Sequence, residues 1–230
     1  MATGWGGITT GSTSFDSSLT FAGPAVAGSD TVGYVAVVSY AFETRDISGV
    51  TWDGAAMTPV GELDDGFYSI HVFQKTSPAS GGSVVITNAA FGSMAAAAFY
   101  LTGNEQATPA TGAQTDTDYG GTGLSATVAS VADALVIGVF GFSRPSRTFT
   151  AGASQTVRTP TPTQSGTDGT DVQIVVTTEA GSASVITDAS FTNPLGDNDY
   201  LYAFSANPSV AAAALGGAGA HLRRLRWMAA

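Results

Sequence analysis

The chain is 230 residues long, 43% hydrophobic but only 11% charged, with no cysteine and a formal net charge of −10. The lack of cysteine excludes disulfides, thiolate metal sites and cysteine nucleophiles, and hydrophobicity this high with charge this low excludes a disordered chain. An acidic body also argues against general binding to nucleic acid, because phosphates would be repelled over most of the surface.

The length suits one all-β domain built from two related halves. Gly, Ser, Thr and Ala replace the usual charged surface, and there is a single lysine, Lys75. Such a surface suits a shell or fibre protein covered by its neighbours, or an exported β-protein. MATGWGGITT has neither a basic n-region nor an apolar h-region, so no signal peptide is expected. The small-apolar stretches 94–101 and 210–220 fall short of the ~20 residues a membrane helix requires, so no membrane span is expected.

In chain order, residues 1–13 are glycine-rich around Trp5 and read as an arm that docks rather than folds alone. Residues 14–21 (SFDSSLTF) read as a strand. Residues 31–40 (TVGYVAVVSY) form a run of β-branched, aromatic and small residues, as in a strand buried on both faces. Residues 50–60 (VTWDGAAMTPV) read as a hairpin turning at Asp53-Gly54, a pair that supplies positive φ at low cost. An acidic turn (ELDDG) precedes the alternating strand FYSIHVFQKT at 67–76, and a Ser80-Gly81-Gly82 turn precedes the strand SVVIT at 83–87. Residues 94–102 (MAAAAFYLT) carry alanines of high helix propensity, but their glycine and hydroxyl flanks favour a strand.

After a long polar connection at 103–123, the order repeats roughly a hundred residues on, too long a period for a solenoid unit. TGLSATVAS answers the first strand and DALVIGVFGFS the buried run. FTAGASQTVR takes the hairpin's place, and DVQIVVTT, ASVIT and YLYAFS follow a polar insert at 159–170. The expected fold is an all-β, two-sheet antiparallel, jelly-roll-like β-sandwich, its two halves (14–105 and 122–206) facing each other across one core within a single domain, 14–209.

Candidate chemistry is sparse. Carboxylates pair at Glu62/Asp64/Asp65, Asp116/Asp118, Asp168/Asp171 and Asp197/Asp199, but acids at loop tips serve turns and solubility, and no twelve-residue calcium loop is present. No metal and no cofactor are expected; Asp197 and Asp199 are the best calcium candidates if one is bound. His71 is the only histidine of the body able to serve a triad, and no G-x-S-x-G elbow accompanies it. The segment 210–230 stands apart. Residues 1–220 carry five basic and eighteen acidic side chains (5 − 18 = −13), whereas HLRRLRWMAA adds three arginines and no acid. His221, Leu222, Arg223, Arg224, Leu225, Arg226 and Trp227 mix arginine with Leu and Trp, types enriched at interface anchors. They read, with Trp5, as interface residues, on a helix or a strand.

The pattern W-x-G-x-x-M-T-P at 52–59, then SIHVFQKTSPASGGSVVIT, then AGASQTV in the second half resembles β-sandwich structural proteins of tailed-phage and prophage virions. The resemblance covers most of residues 30–206. It implies a non-enzymatic virion protein of capsid-decoration or head-spike type, working as a symmetric homo-oligomer among other virion proteins. The alternative is a carbohydrate-binding module of a tail fibre or secreted enzyme that recognises a surface glycan; a hydrolase using paired carboxylates comes third.

Overall fold

A computed structural model of the chain describes residues 1–41, 47–143, 148–160, 163–166, 170–192 and 198–209. Every strand pairing in it is antiparallel, and the described residues contain no helix.

The first half builds one seven-stranded sheet. Its strands are β1 (Gly4–Ala22), β2 (Val32–Ala41), β3 (Ile47–Trp52), β4 (Ala55–Ala56), β5 (Thr58–Asp64), β6 (Tyr68–Thr76) and β7 (Ser83–Thr102). The order is β4-β3-β7-β2-β6-β5, with β1 also paired to β7. The second half comprises β8 (Ala110–Tyr119), β9 (Gly123–Ala129), β10 (Leu135–Ser143), β11 (Phe149–Ala151), β12 (Thr156–Val157), β13 (Thr163–Gln164), β14 (Val172–Ala180), β15 (Ser184–Phe191) and β16 (Asn198–Ala206). These form a six-stranded sheet, β12-β14-β10-β16-β8 with β13 on β14, and a three-stranded sheet, β11-β15-β9.

The internal repeat is visible in the pairing. β2 lies between β6 and β7 as β10 lies between β14 and β16, and β3 pairs the first part of β7 as β11 pairs β15. One difference separates the halves. β1 and β7 run unbroken from the main sheet into an outer flap, bending together at register shifts around Thr13–Ser18; bulges of this kind raise the local twist and turn a strand's direction. The second half interrupts the equivalent strands, so its flap is a separate sheet.

Strand alternation explains why β2 and β10 read as continuous apolar runs. Val32, Tyr34, Ala36 and Val38 face a central core shared with Ile137, Val139, Ile174, Tyr202 and Phe204 of the other half. Val35 and Val37 face a lateral core closed by Trp52, Val84 and Ile86 of the flap. Phe140 and Phe142 face a second lateral core with Val128, Val185 and Phe191. The molecule thus has three interiors. The expected all-β sandwich forms, its two halves facing each other across the central core, and each half adds a lateral core beneath its own flap.

Local predictions fare unevenly. Asp53 and Gly54 take φ values of 53° and 72° at the tip between β3 and β4, as the hairpin requires. Residues 83–87 and 94–102 are not two strands but the ends of one, β7. The alanines hold strand because β7 is flanked by β1 and β2, where small side chains fit on both faces. The segment at 149–158 is no hairpin: β11 joins β15 whereas β12 joins β14. The connection at 103–123 contains β8, an edge strand, so the second half begins at 110 rather than 122. Residues 4–13, expected to form an arm, belong to β1, and glycine lets them lie flat: a Cβ at Gly6 would collide with the Tyr100 ring. Residues 210–230 lie outside the described residues.

Candidate functional site

Two places concentrate side chains with chemistry. The first lies on the lateral face of the first half. Ser39 and Ser69 are cross-strand partners on β2 and β6, with hydroxyl oxygens 2.8 Å apart. His71 follows on the same face of β6; its Nε2 is 3.0 Å from Ser69 Oγ, and its Nδ1 is 3.3 Å from Glu62 Oε2 on the neighbouring β5. A proton on Nδ1, held by the carboxylate, leaves Nε2 to accept from a serine hydroxyl, which is the order a nucleophilic serine needs. Accessibility decides against it. Ser39 and Ser69 have 0% exposure, so no carbonyl carbon can reach either oxygen while the sheet is closed. His71 and Glu62 do border a groove of about 640 Å³, lined also by Val50, Met57, Pro59 and Phe73. The second half has no counterpart to this row: Phe142 and Gln173 hold the register positions of Ser39 and Ser69, and Val175 that of His71.

The second place is one pole of the molecule. The ends of β2 at Tyr40, β6 at Tyr68, β10 at Ser143 and β16 at Asn198 converge there, as do the turns around Asp65 and Tyr119. Asp65 Oδ1 accepts the N–H groups of Phe67 and Tyr68, both at 2.9 Å; Oδ2 accepts from Asn198 Nδ2 at 2.6 Å and from the Tyr200 hydroxyl. A first-half turn is thereby fastened to a second-half strand. Burial by itself raises the Asp65 carboxyl, but the hydrogen bonds from Tyr200, the two N–H groups and Asn198 outweigh it and hold the pKa below its ordinary 3.8. Burial, and then the Asp65 carboxylate, push the Tyr200 phenol far up.

A group lowered in the folded state contributes stability above its unfolded-state pKa and loses it as the pH falls through the folded-state value. Asp65→Asn is therefore expected to lower the urea midpoint most near neutral pH. The gap to the unsubstituted protein should close below pH 3.8, and a gap undiminished at about pH 2 would contradict the assignment.

Around this turn lies a notch of about 110 Å³ lined by Asp65, Thr117, Asp118, Tyr119, Asn198 and Tyr200. Tyr119 is 81% exposed. Among the described residues the exposed aromatic side chains are Phe15, Phe67, Phe91 and Tyr119, and all four sit at this pole. Phe15 and Phe91 flank the bends of β1 and β7; Phe67 and Tyr119 flank the notch.

No family model, no curated protein and no solved structure matches this chain. What it does must be read from its own surfaces.

The residues singled out from the sequence are dispersed. Trp5 is half-buried in β1, stacked on Phe99 at 5.2 Å with the Arg158 guanidinium 5.0 Å above its ring, so its contacts are made within the chain. Asp199 is fully buried in β16, and Asp197 lies outside the described residues, as do His221, Leu222, Arg223, Arg224, Leu225, Arg226 and Trp227. Among the described residues no group of three or more His, Cys, Asp or Glu side chains could hold a metal ion, and no helix is long and apolar enough to cross a membrane. Sequence reasoning missed the setting of Asp171. Its buried Oδ1 accepts hydroxyls from Ser14 (2.8 Å), Ser93 (3.3 Å) and Ser165 (2.8 Å), tying β1 and β7 to the second half. Scattered serines carry no sequence signal for such a knot.

Proposed function

We propose that this is a non-enzymatic structural protein that acts through surface contacts, as a decoration or head-spike subunit of a phage particle. The observation that carries a contact function is the gathering of every described exposed aromatic side chain at one pole, while the serine hydroxyls beside His71 stay buried. Exposed apolar groups clustered on one face mark interaction sites more often than groups scattered singly. The virion setting rests on the sequence resemblance over residues 30–206. Deleting 221–230 is expected to abolish co-sedimentation with particles while the β-type circular dichroism spectrum of the body is kept; retained attachment would refute the tail as anchor. A glycan-binding module is the second reading, favoured by Tyr119 exposed beside Asp118 and Asn198, an aromatic platform with polar neighbours. Loss of glycan-array binding on Tyr119→Ala would support it.

A further inference from the structure

The groove beside His71 takes no part in the contact function, yet its walls are specific. β4 pairs β3 only at Thr51 and Trp52, so from Ile47 to Val50 the edge of β3 borders the groove instead of another strand. Across from that edge stand His71 and Phe73 of β6 and Glu62 of β5, and Met57 adds apolar surface. The second half bridges the same side of its main sheet. Thr177, at the register position of Phe73, donates its hydroxyl to Gln155 Oε1 at 2.8 Å. Gln155 Nε2 in turn donates to the carbonyl and the carboxylate of Asp188 in β15, at 2.6 and 3.1 Å. A strut thus crosses from main sheet to flap in the second half, where the first half keeps an open groove.

Glu62 gives that groove its charge. The side chain is 66% exposed, with Oε2 held 3.3 Å from His71 Nδ1, and His71 is fixed from its other nitrogen by Ser69 Oγ at 3.0 Å. Among the described residues Glu62 makes no other hydrogen bond or ion pair, so the carboxylate is oriented but keeps acceptor capacity. No lysine or arginine is among the described residues that line the groove. Its volume of about 640 Å³ falls in the ordinary range for small-ligand sites. An anion there would be repelled by Glu62, and a neutral ligand would cover the carboxylate without pairing it, which costs desolvation. A cation with an apolar body meets both walls. We propose that the groove binds a small alkyl- or arylammonium ion, its nitrogen on Glu62 through a charge-assisted hydrogen bond and its body against Val50, Met57 and Phe73. This site does not rest on the contact function proposed above, and either can fail alone.

Titrating the full chain with 2-phenylethylammonium, followed at the methyl resonance of Met57, tests the assignment. Met57 is one of four methionines, and Met57→Leu identifies its signal. The amine should shift that methyl saturably, whereas phenylacetate, with the same ring and the opposite charge, should leave it unmoved. Glu62→Gln should weaken binding about tenfold. Gly49→Phe should abolish it. A Cβ at Gly49, on the border of the groove, meets nothing within 4 Å, so the added ring enters open space; an unchanged urea midpoint would show that the fold is kept. Equal shifts with the amine and phenylacetate, full affinity in Glu62→Gln, undiminished binding by a folded Gly49→Phe, or a methyl that never responds would each overturn the proposal. So would tighter binding by a chain lacking 221–230, because the groove would then belong to the tail.

Discussion

Replacing Trp52 with alanine should lower the free energy of unfolding by about 3–5 kcal/mol, the range for a large aromatic removed from a rigid core. Trp52 is fully buried at the end of β3, and its indole N–H donates to Ala79 O at 2.8 Å. The chain around it is set by backbone rather than by adjustable side chains. A Cβ built at Gly23 or at Gly33 would lie 2.9 Å from the ring, so both segments press directly on the indole. Backbone held in the sheet cannot collapse into the space the ring leaves, which puts the expected cost toward the upper end. The Ala79 carbonyl also loses its donor, a smaller cost because Ala79 is only half-buried. Urea unfolding should show a lower midpoint with an unchanged slope. A loss under about 1 kcal/mol would mean that the flap of the first half does not depend on this anchor.

Trp52 also shows what was legible in the sequence. A tryptophan just before Asp-Gly, between β-type segments, announces a hairpin with a ring to bury, and the turn forms as local chemistry dictates. The apolar runs that became β2 and β10 were equally plain, because a strand covered on both faces loses the polar alternation of a half-exposed one. Which layer covers each face was not legible. Val35 and Val38 look alike in the sequence, yet one meets a flap and the other the opposite half. β8 was hidden for a related reason: ATGAQTDTDY is polar on both sides, as an exposed edge strand can be, and reads as a loop. The candidate pole was less visible still. Its aromatics stand at Phe15, Phe67, Phe91 and Tyr119, far apart in the chain, and only the folding of both halves brings them to one end. His71 was visible as a lone candidate, but its neighbours Ser69 and Glu62 could be placed only by the pairing of β5 and β6.

The last prediction concerns the crossing of the two main sheets. By register, Val38 of β2 and Gly141 of β10 hold equivalent positions in the two halves: each lies one residue beyond a lateral-facing partner, Val37 or Phe140. They also face one another. A Cβ at Gly141 would lie 3.0 Å from one Val38 methyl carbon and 3.1 Å from the other, with Ile70 Cδ1 also at 3.1 Å. Equivalent positions that touch cannot both carry a branched side chain, so one half supplies the bulk and the other the hollow. Gly141→Val alone should therefore overpack the central core, at a cost of about 1–3 kcal/mol. Val38→Gly alone should leave a cavity and loosen the strand backbone, at a cost of about 2–4 kcal/mol. The double variant moves the bulk to the opposite half and refills the same space, so its cost should fall below the sum of the single costs by about 1 kcal/mol or more. Urea unfolding of the four proteins measures this coupling. Strict additivity would show that the halves do not bear on one another at this crossing, and that their complementary side chains there are incidental to the fit of the two sheets.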